Sequence, residues 1–145
     1  DFVDPPLPAD AQVEPSHIKH LSIPALGIDT PVEVGAITNG NWSVSNTGAN
    51  HLNTSANVGQ AGNIIVYGHN KRSILGKLPE VEVEKEILLQ TDDGQQHEFI
   101  VKETYTTTPD DIRPIEPTDT ERLTIYTCVG WQNSKRFIVV AERKL

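Results

Sequence analysis

Methionine is missing from this chain, cysteine occurs once, and no apolar run approaches the length of a membrane span. A single cysteine rules out an internal disulfide and any zinc site built on several thiolates, so the thiol is either packed or used. Without a stretch of roughly 20 apolar residues the sequence contains no transmembrane helix, and no signal peptide is visible. A chain that opens on Asp1 and lacks methionine reads as a mature or trimmed fragment, which leaves room for an anchor ahead of it. Positive charge is also scarce: 12 Lys and Arg face 20 Asp and Glu, for a net charge of -8 and a pI near 5.0. Nucleic acid is thereby excluded as a partner, because no basic field is left to hold a phosphate backbone.

What is present is 145 residues, the length of one domain able to bury about 70% of its unfolded surface. The opening DFVDPPLPADAQVEPS, residues 1–16, carries four prolines and few large apolar residues, and reads as an extended linker or tether. Residues 17–145 are expected to form the folded domain, and its pattern is β. HIKHLSIPAL and GIDTPVEVGAI read as two strands punctuated by Pro24 and Gly27. The stretch from Asn39 to Asn63, rich in Asn, Gly, Ser and Thr, reads mostly as loop, with a short helix expected around Leu52 to Ala56. IIVYGH is a strand, and RSILGKLPEV a turn or short helix broken by Gly76 and Pro79. KEILLQT and QHEFIVKETYTT pair through a tight hairpin at Asp93-Gly94. TTPDDIRPIEPTDT is a proline-constrained loop, and LTIYTC and RFIVVAER close the chain as strands. Both alternating sets of RFIVVAER are apolar, which places it centrally with both faces covered. Seven or eight short strands with almost no helix predict an all-β fold, a closed barrel or a sandwich.

Three residues sit beside these strands with chemistry to offer. The period of two puts Thr124, Tyr126 and Cys128 on one face of LTIYTC, so the thiol leaves the strand on its more polar side. Only a few per cent of an ordinary cysteine is thiolate at neutral pH unless a base or cation lies close. His69, at the end of IIVYGH, and Arg136, at the start of RFIVVAER, are the available suppliers. Arg136 stays protonated and so serves as a cation or oxyanion donor, not as a base. Taken singly, each residue has a plain alternative: a buried cysteine, a structural histidine, a surface arginine.

The order His69, Cys128, Arg136, with TIYTC followed by an arginine on the next strand and GNIIVYGHN ending in histidine, resembles the sortases, cysteine transpeptidases of bacterial cell surfaces. The resemblance rests on Thr124, Thr127, Cys128, Arg136, Gly68 and His69. GANHLNTSANVGQAGN, with His51, Gly62 and Asn63, resembles the stretch that precedes the family's histidine, and LSIPALGIDTPVEVG its first two strands. The connection VGWQNSK is shorter than in many members, and the features lie nearer classes D, E and F than A or B. The resemblance implies a closed eight-stranded sortase-like β-barrel with one or two short helices. It also implies that Cys128 attacks an LPxTG-like sorting signal to give a thioacyl enzyme. His69 then serves as acid and base, and Arg136 holds the substrate backbone and oxyanion. The acceptor amine would come from a peptidoglycan precursor or a pilin lysine. The enzyme would stand at the outer face of the bacterial cell membrane on an N-terminal anchor.

By the same resemblance Ile112, Pro114 and Ile115 shape the pocket for the signal's leucine and proline, against the alternative of a rigid connection. Thr127 is a candidate substrate contact or a strand-face hydroxyl, and Trp131 a candidate groove wall or a local packing anchor. Asn70 suits a turn. No cofactor is expected. Glu80, Glu82, Glu84, Asp92 and Asp93 offer hard oxygen ligands but no calcium-loop spacing, so no metal requirement is expected. His17, His20 and His97 read as structural or exposed. Two rival functions remain open on the sequence: a cysteine peptidase that only hydrolyses, and a catalytically silent β-barrel binding module in which Cys128 is packed.

Overall fold

The computed structural model describes residues 17–145; the linker expected at 1–16 lies outside them. The strands are β1 (Ile18–Ile23), β2 (Ile28–Gly35), β3 (Ile37–Thr38), β4 (Asn41–Trp42), β5 (Ala49–Leu52), β6 (Asn63–Gly68), β7 (Glu86–Thr91), β8 (Gln96–Thr107), β9 (Arg122–Val129) and β10 (Lys135–Arg143). Eight of them close a barrel in the order β1-β2-β5-β6-β9-β10-β8-β7, and β3 and β4 form a separate hairpin. The expected short helices are four single 3₁₀ turns, at Pro24–Leu26, Leu78–Glu80, Arg113–Ile115 and Trp131–Asn133.

Alternation along the strands fills the barrel. Leu21, Ile23, Ile64, Val66, Leu89, Phe99, Leu123, Ile125 and Val139 point inward and are almost wholly buried. The turn from Lys71 to Leu78 drops Ile74, Leu75 and Leu78 into the same core. β10 lies between β8 and β9, as its two apolar faces predict. The Asp93-Gly94 hairpin forms as expected, with Gly94 at φ 86° and the Thr91 amide donating to the Gln95 carbonyl.

The stretch expected to be loop contains a barrel strand and a hairpin instead. No helix forms at Leu52–Ala56; β5 ends there instead, parallel to β2 and antiparallel to β6, and it completes the barrel. ANHL shows no alternation because all four residues are buried, and its polar members are satisfied internally. Asn50 accepts from the Ser45 amide and donates to the Tyr67 carbonyl, while the His51 Nε2–H donates to the Ala56 carbonyl at 2.8 Å. The β3–β4 hairpin turns at Asn39-Gly40, both residues in the left-handed region.

That hairpin lays Trp42 over the outside of the barrel, edge-on to Tyr67 at 5.0 Å and to Tyr126 at 5.6 Å, with the two tyrosines stacked at 5.7 Å. The Tyr67 hydroxyl donates to the Ser43 carbonyl at 2.6 Å, and Gly35 makes room for it. A Cβ at Gly35 would fall 2.2 Å from that hydroxyl oxygen and 3.1 Å from Asn50 Cβ. Gly35→Ala is therefore expected to cost about 1–3 kcal/mol as a lower Tm, since a packed site must shift to admit the methyl. An unchanged Tm would contradict this close packing.

At the opposite end of β10 a polar clasp ties the last strand down. Arg143 grips Glu121 with two hydrogen bonds of 2.7 and 2.9 Å, and the Gly59 amide donates to the same carboxylate. Arg143 also donates to His97 Nδ1 and lies 5.1 Å over the Phe99 ring. Thr91 gives its proton to Asp93, so the contact between His97 Nε2 and Thr91 makes Nε2 the protonated nitrogen. Burial, then the Arg143 charge, hold His97 below its ordinary value of 6.5, against the pull of Asp93 and Glu121. Burial likewise lowers His51, opposed by its hydrogen bond to Ala56.

Both shifts mean that the unfolded chain takes up protons first as pH falls below about 6.5. Well above that value neither histidine contributes a pH dependence. Stability is expected to fall between pH 7.5 and 5.5, and His97→Gln to shrink that slope; thermal melts at the two pH values check it. A Tm that rises on acidification would sink the prediction.

Candidate active site

β6 and β9 run parallel, so both end at the same rim of the barrel, and β10, antiparallel to β9, begins there. Gly68 pairs with Thr127, which sets the next residues, His69 and Cys128, side by side. Arg136 pairs with Cys128 across the other edge of β9. Three neighbouring strands thus carry the imidazole, thiol and guanidinium at one level. All three are half-buried and line a single groove of about 440 Å³ on the outer face of the barrel.

Register supplies the groove floor as well. Tyr126 pairs with Ile138 one step below Cys128 and Arg136, and both face the groove. One wall is Trp42 and Val44 from the hairpin segment, and the other is the loop from Thr108 to Ile115. Burial and the neighbouring Tyr67 keep the Tyr126 hydroxyl protonated far above the ordinary tyrosine range, so it serves as a surface and not as a base.

Backbone contacts hold the three groups in place. The Thr127 hydroxyl, almost fully buried, donates to the Gly68 carbonyl at 2.8 Å and locks the histidine strand to the cysteine strand. Beyond His69 the chain doubles back, and the Leu75 amide donates to the His69 carbonyl. Gly76 permits that return, since a Cβ there would lie 2.7 Å from the Asn70 carbonyl oxygen. Arg136 Nη1 donates to the carbonyls of Asn133 and Lys135 at 2.9 and 3.1 Å. The Asn70 side chain donates to Asn133 Oδ1 at 3.0 Å and joins the two loops across the rim. Gln132 and Asn133 both adopt φ near +55°, at 52° and 59°, unfavourable for side-chain-bearing residues.

Of the residues expected to meet substrate, Ile112, Pro114 and Ile115 line the groove. Ile112 is 65% exposed and Ile115 stands at the rim, whereas Pro114 is buried. Thr127 lines the groove with its hydroxyl already engaged. Trp131 lies apart: it is 82% exposed and does not line the groove. Asp111 orders the near half of the wall, taking a 2.5 Å bond from Thr107 and a paired contact from Arg113; these bonds, Arg113 first, hold its carboxyl well below the usual range. Trp42, Tyr67 and Tyr126 line the groove as well; the alternation that exposes Cys128 signals Tyr126, and no local pattern signals the other two. Among the described residues no three His, Cys, Asp or Glu side chains converge as a metal site would require.

A closed eight-stranded barrel with a cysteine-centred groove flanked by histidine and arginine defines the class to which this protein must be compared. The family model of the Sortase domain matches residues 21–144, and the chain belongs to the sortase family, cysteine transpeptidases that act at the cell surface. Among solved structures it is similar to sortase A from Listeria monocytogenes at 25% identity and TM-score 0.75, covering 88% of each chain. A Clostridium perfringens sortase D5 transpeptidase matches at 22% identity and TM-score 0.75, over 93% of this chain and 84% of that one. A lid mutant of Corynebacterium diphtheriae sortase A matches at 22% and 0.75, over 93% and 74%. No curated protein matches by sequence.

Proposed function

We propose that this chain is a transpeptidase for an LPxTG-like sorting signal. The observation that carries the reading is the register that brings His69, Cys128 and Arg136 to one groove from three adjacent strands. Cys128 Sγ, as thiolate, attacks the carbonyl carbon before the scissile bond. Arg136 donors stabilise the oxyanion as charge develops. His69 gives a proton to the leaving amine as the C–N bond breaks, leaving a thioacyl enzyme and a free C-terminal fragment. His69 then removes a proton from the incoming amine, which displaces Cys128 and forms the new amide.

The apolar rim at Ile112 and Ile115, with the buried Pro114 between them, suits a leucine–proline pair. The acceptor is an amine of a peptidoglycan precursor or a pilin lysine. The site of action is the outer face of the cell membrane, through an N-terminal anchor; among the described residues no helix is long and apolar enough to cross a membrane.

Mass spectrometry after incubation with a panel of signal pentapeptides tests nucleophile and substrate together, the expected result being a thioacyl adduct on Cys128. Product analysis with and without an added amine separates transfer from hydrolysis. No adduct from any peptide, with a native Cys128 inert to thiol reagents that label the unfolded chain, would instead favour a silent binding barrel.

A further inference from the structure

The far half of the groove wall is fastened by one buried side chain. Asn63, at the start of β6, is 5% exposed. Its Nδ2 donates to the carbonyls of Pro114 at 2.8 Å and Glu116 at 3.0 Å, while its Oδ1 accepts from the Thr124 hydroxyl at 2.6 Å. Both amide protons and one carbonyl lone pair are therefore committed, and the Thr124 bond fixes which end of the carboxamide faces the loop. Pro114 and Glu116 bracket the end of the 3₁₀ turn Arg113–Ile115, the turn that presents apolar side chains to the groove. The next residue back, Gly62, accepts from the Arg122 amide and donates to the Thr120 carbonyl, so the loop's return is tied to the same point on β6. The near half is held differently, by Asp111, which accepts from the Thr107 hydroxyl and pairs with the solvent-facing Arg113.

We infer that Asn63 is the positioning residue for the sorting-signal wall: through Pro114 and Glu116 it sets the Arg113–Ile115 turn, and so sets how tightly and how selectively the signal's apolar residues are held. The inference rests on the sortase reading above. Asn63 touches neither the reacting atoms nor the groove, so its effect is on peptide binding and not on the chemical step.

Asn63→Asp keeps the shape and replaces two donors by an acceptor aimed at two carbonyls. It is expected to raise KM for a signal peptide about 10-fold or more, the effect of leaving buried polar groups unpaired, with kcat within about three-fold of wild type. Discrimination between peptides with and without the leucine–proline pair should flatten, while Cys128 alkylation by iodoacetamide stays at the wild-type rate. Hydrogen exchange at the Ile115 and Glu116 amides should quicken at least about 10-fold, with the β9 and β10 amides unchanged.

Thr124→Val, which removes only the orienting hydroxyl, should shift the same readouts in the same direction, and Thr124→Ser should restore them. This pair decides the matter if Asn63→Asp does not fold. A fall in kcat at constant KM, unchanged peptide discrimination, or unchanged loop exchange would overturn the inference. If wild-type protein forms no adduct with any peptide, the functional reading fails on its own, and the exchange data still decide whether Asn63 sets the wall.

Discussion

Cys128→Ala is expected to abolish acyl transfer, with no peptide adduct by mass spectrometry and no product above the uncatalysed background. Among the described residues that line the groove there is no second thiol and no uncommitted aliphatic hydroxyl. The Thr127 hydroxyl is buried and bound to the Gly68 carbonyl, and those of Thr107 and Thr108 are committed to Asp111 and Asp110. Tyr126 is held protonated by burial. Cys128 itself is only half-buried, so its loss removes little packing. The variant should melt within about 1 kcal/mol of wild type, the ordinary range for a substitution that opens no core cavity. A folded Cys128→Ala protein that still transfers acyl groups would sink the mechanism. A fully folded variant without turnover ties the loss to the sulfur atom and not to the barrel.

How the groove comes together was only partly legible in the sequence. β6, β9 and β10 announce themselves as IIVY, LTIY and FIVV, because strands covered on both faces are apolar throughout. His69, Cys128 and Arg136 are each visible beside the end of such a run. Their meeting is not visible, because it depends on β6 pairing parallel to β9 across some 50 intervening residues, and no local pattern encodes a parallel partner. The β5 strand was hidden for another reason. Asn50 and His51 are buried polar residues whose hydrogen bonds, Asn50 to the Tyr67 carbonyl on β6 and His51 to the Ala56 carbonyl, are invisible to hydropathy, which reads them as loop. The β3–β4 hairpin did leave a signal in Asn39-Gly40, the dipeptide suited to two consecutive positive φ values, although strands of two residues show no periodicity beside it. Asn63 carried only its place in a family pattern. Its physical work lies in carbonyls more than 50 residues away.

Arg136→Lys is expected to lose nearly as much activity as Arg136→Ala or His69→Ala, at least about 100-fold in kcat/KM, the usual lower range for removing oxyanion or acid–base help. Charge alone would make the lysine variant the milder one; the geometry argues otherwise. Arg136 stands opposite Cys128 in register, lines the groove, and spends Nη1 on the carbonyls of Asn133 and Lys135, which leaves Nε and Nη2 of a planar, fixed fork for a substrate. An ammonium on a flexible stem satisfies the loop or the oxyanion, but not both in one fixed geometry. Arg136 shares the holding of the Gln132–Asn133 turn with the Asn70 side chain, so either substitution removes one of two side-chain tethers from the loop beside the thiol. The loss should fall mainly on kcat, because a developing oxyanion exists only in the transition state. Single-turnover acylation of Cys128 by a signal peptide measures it directly. An Arg136→Lys enzyme within about three-fold of wild type would show that a positive charge near Cys128 is enough, and that the guanidinium fork contributes nothing beyond it.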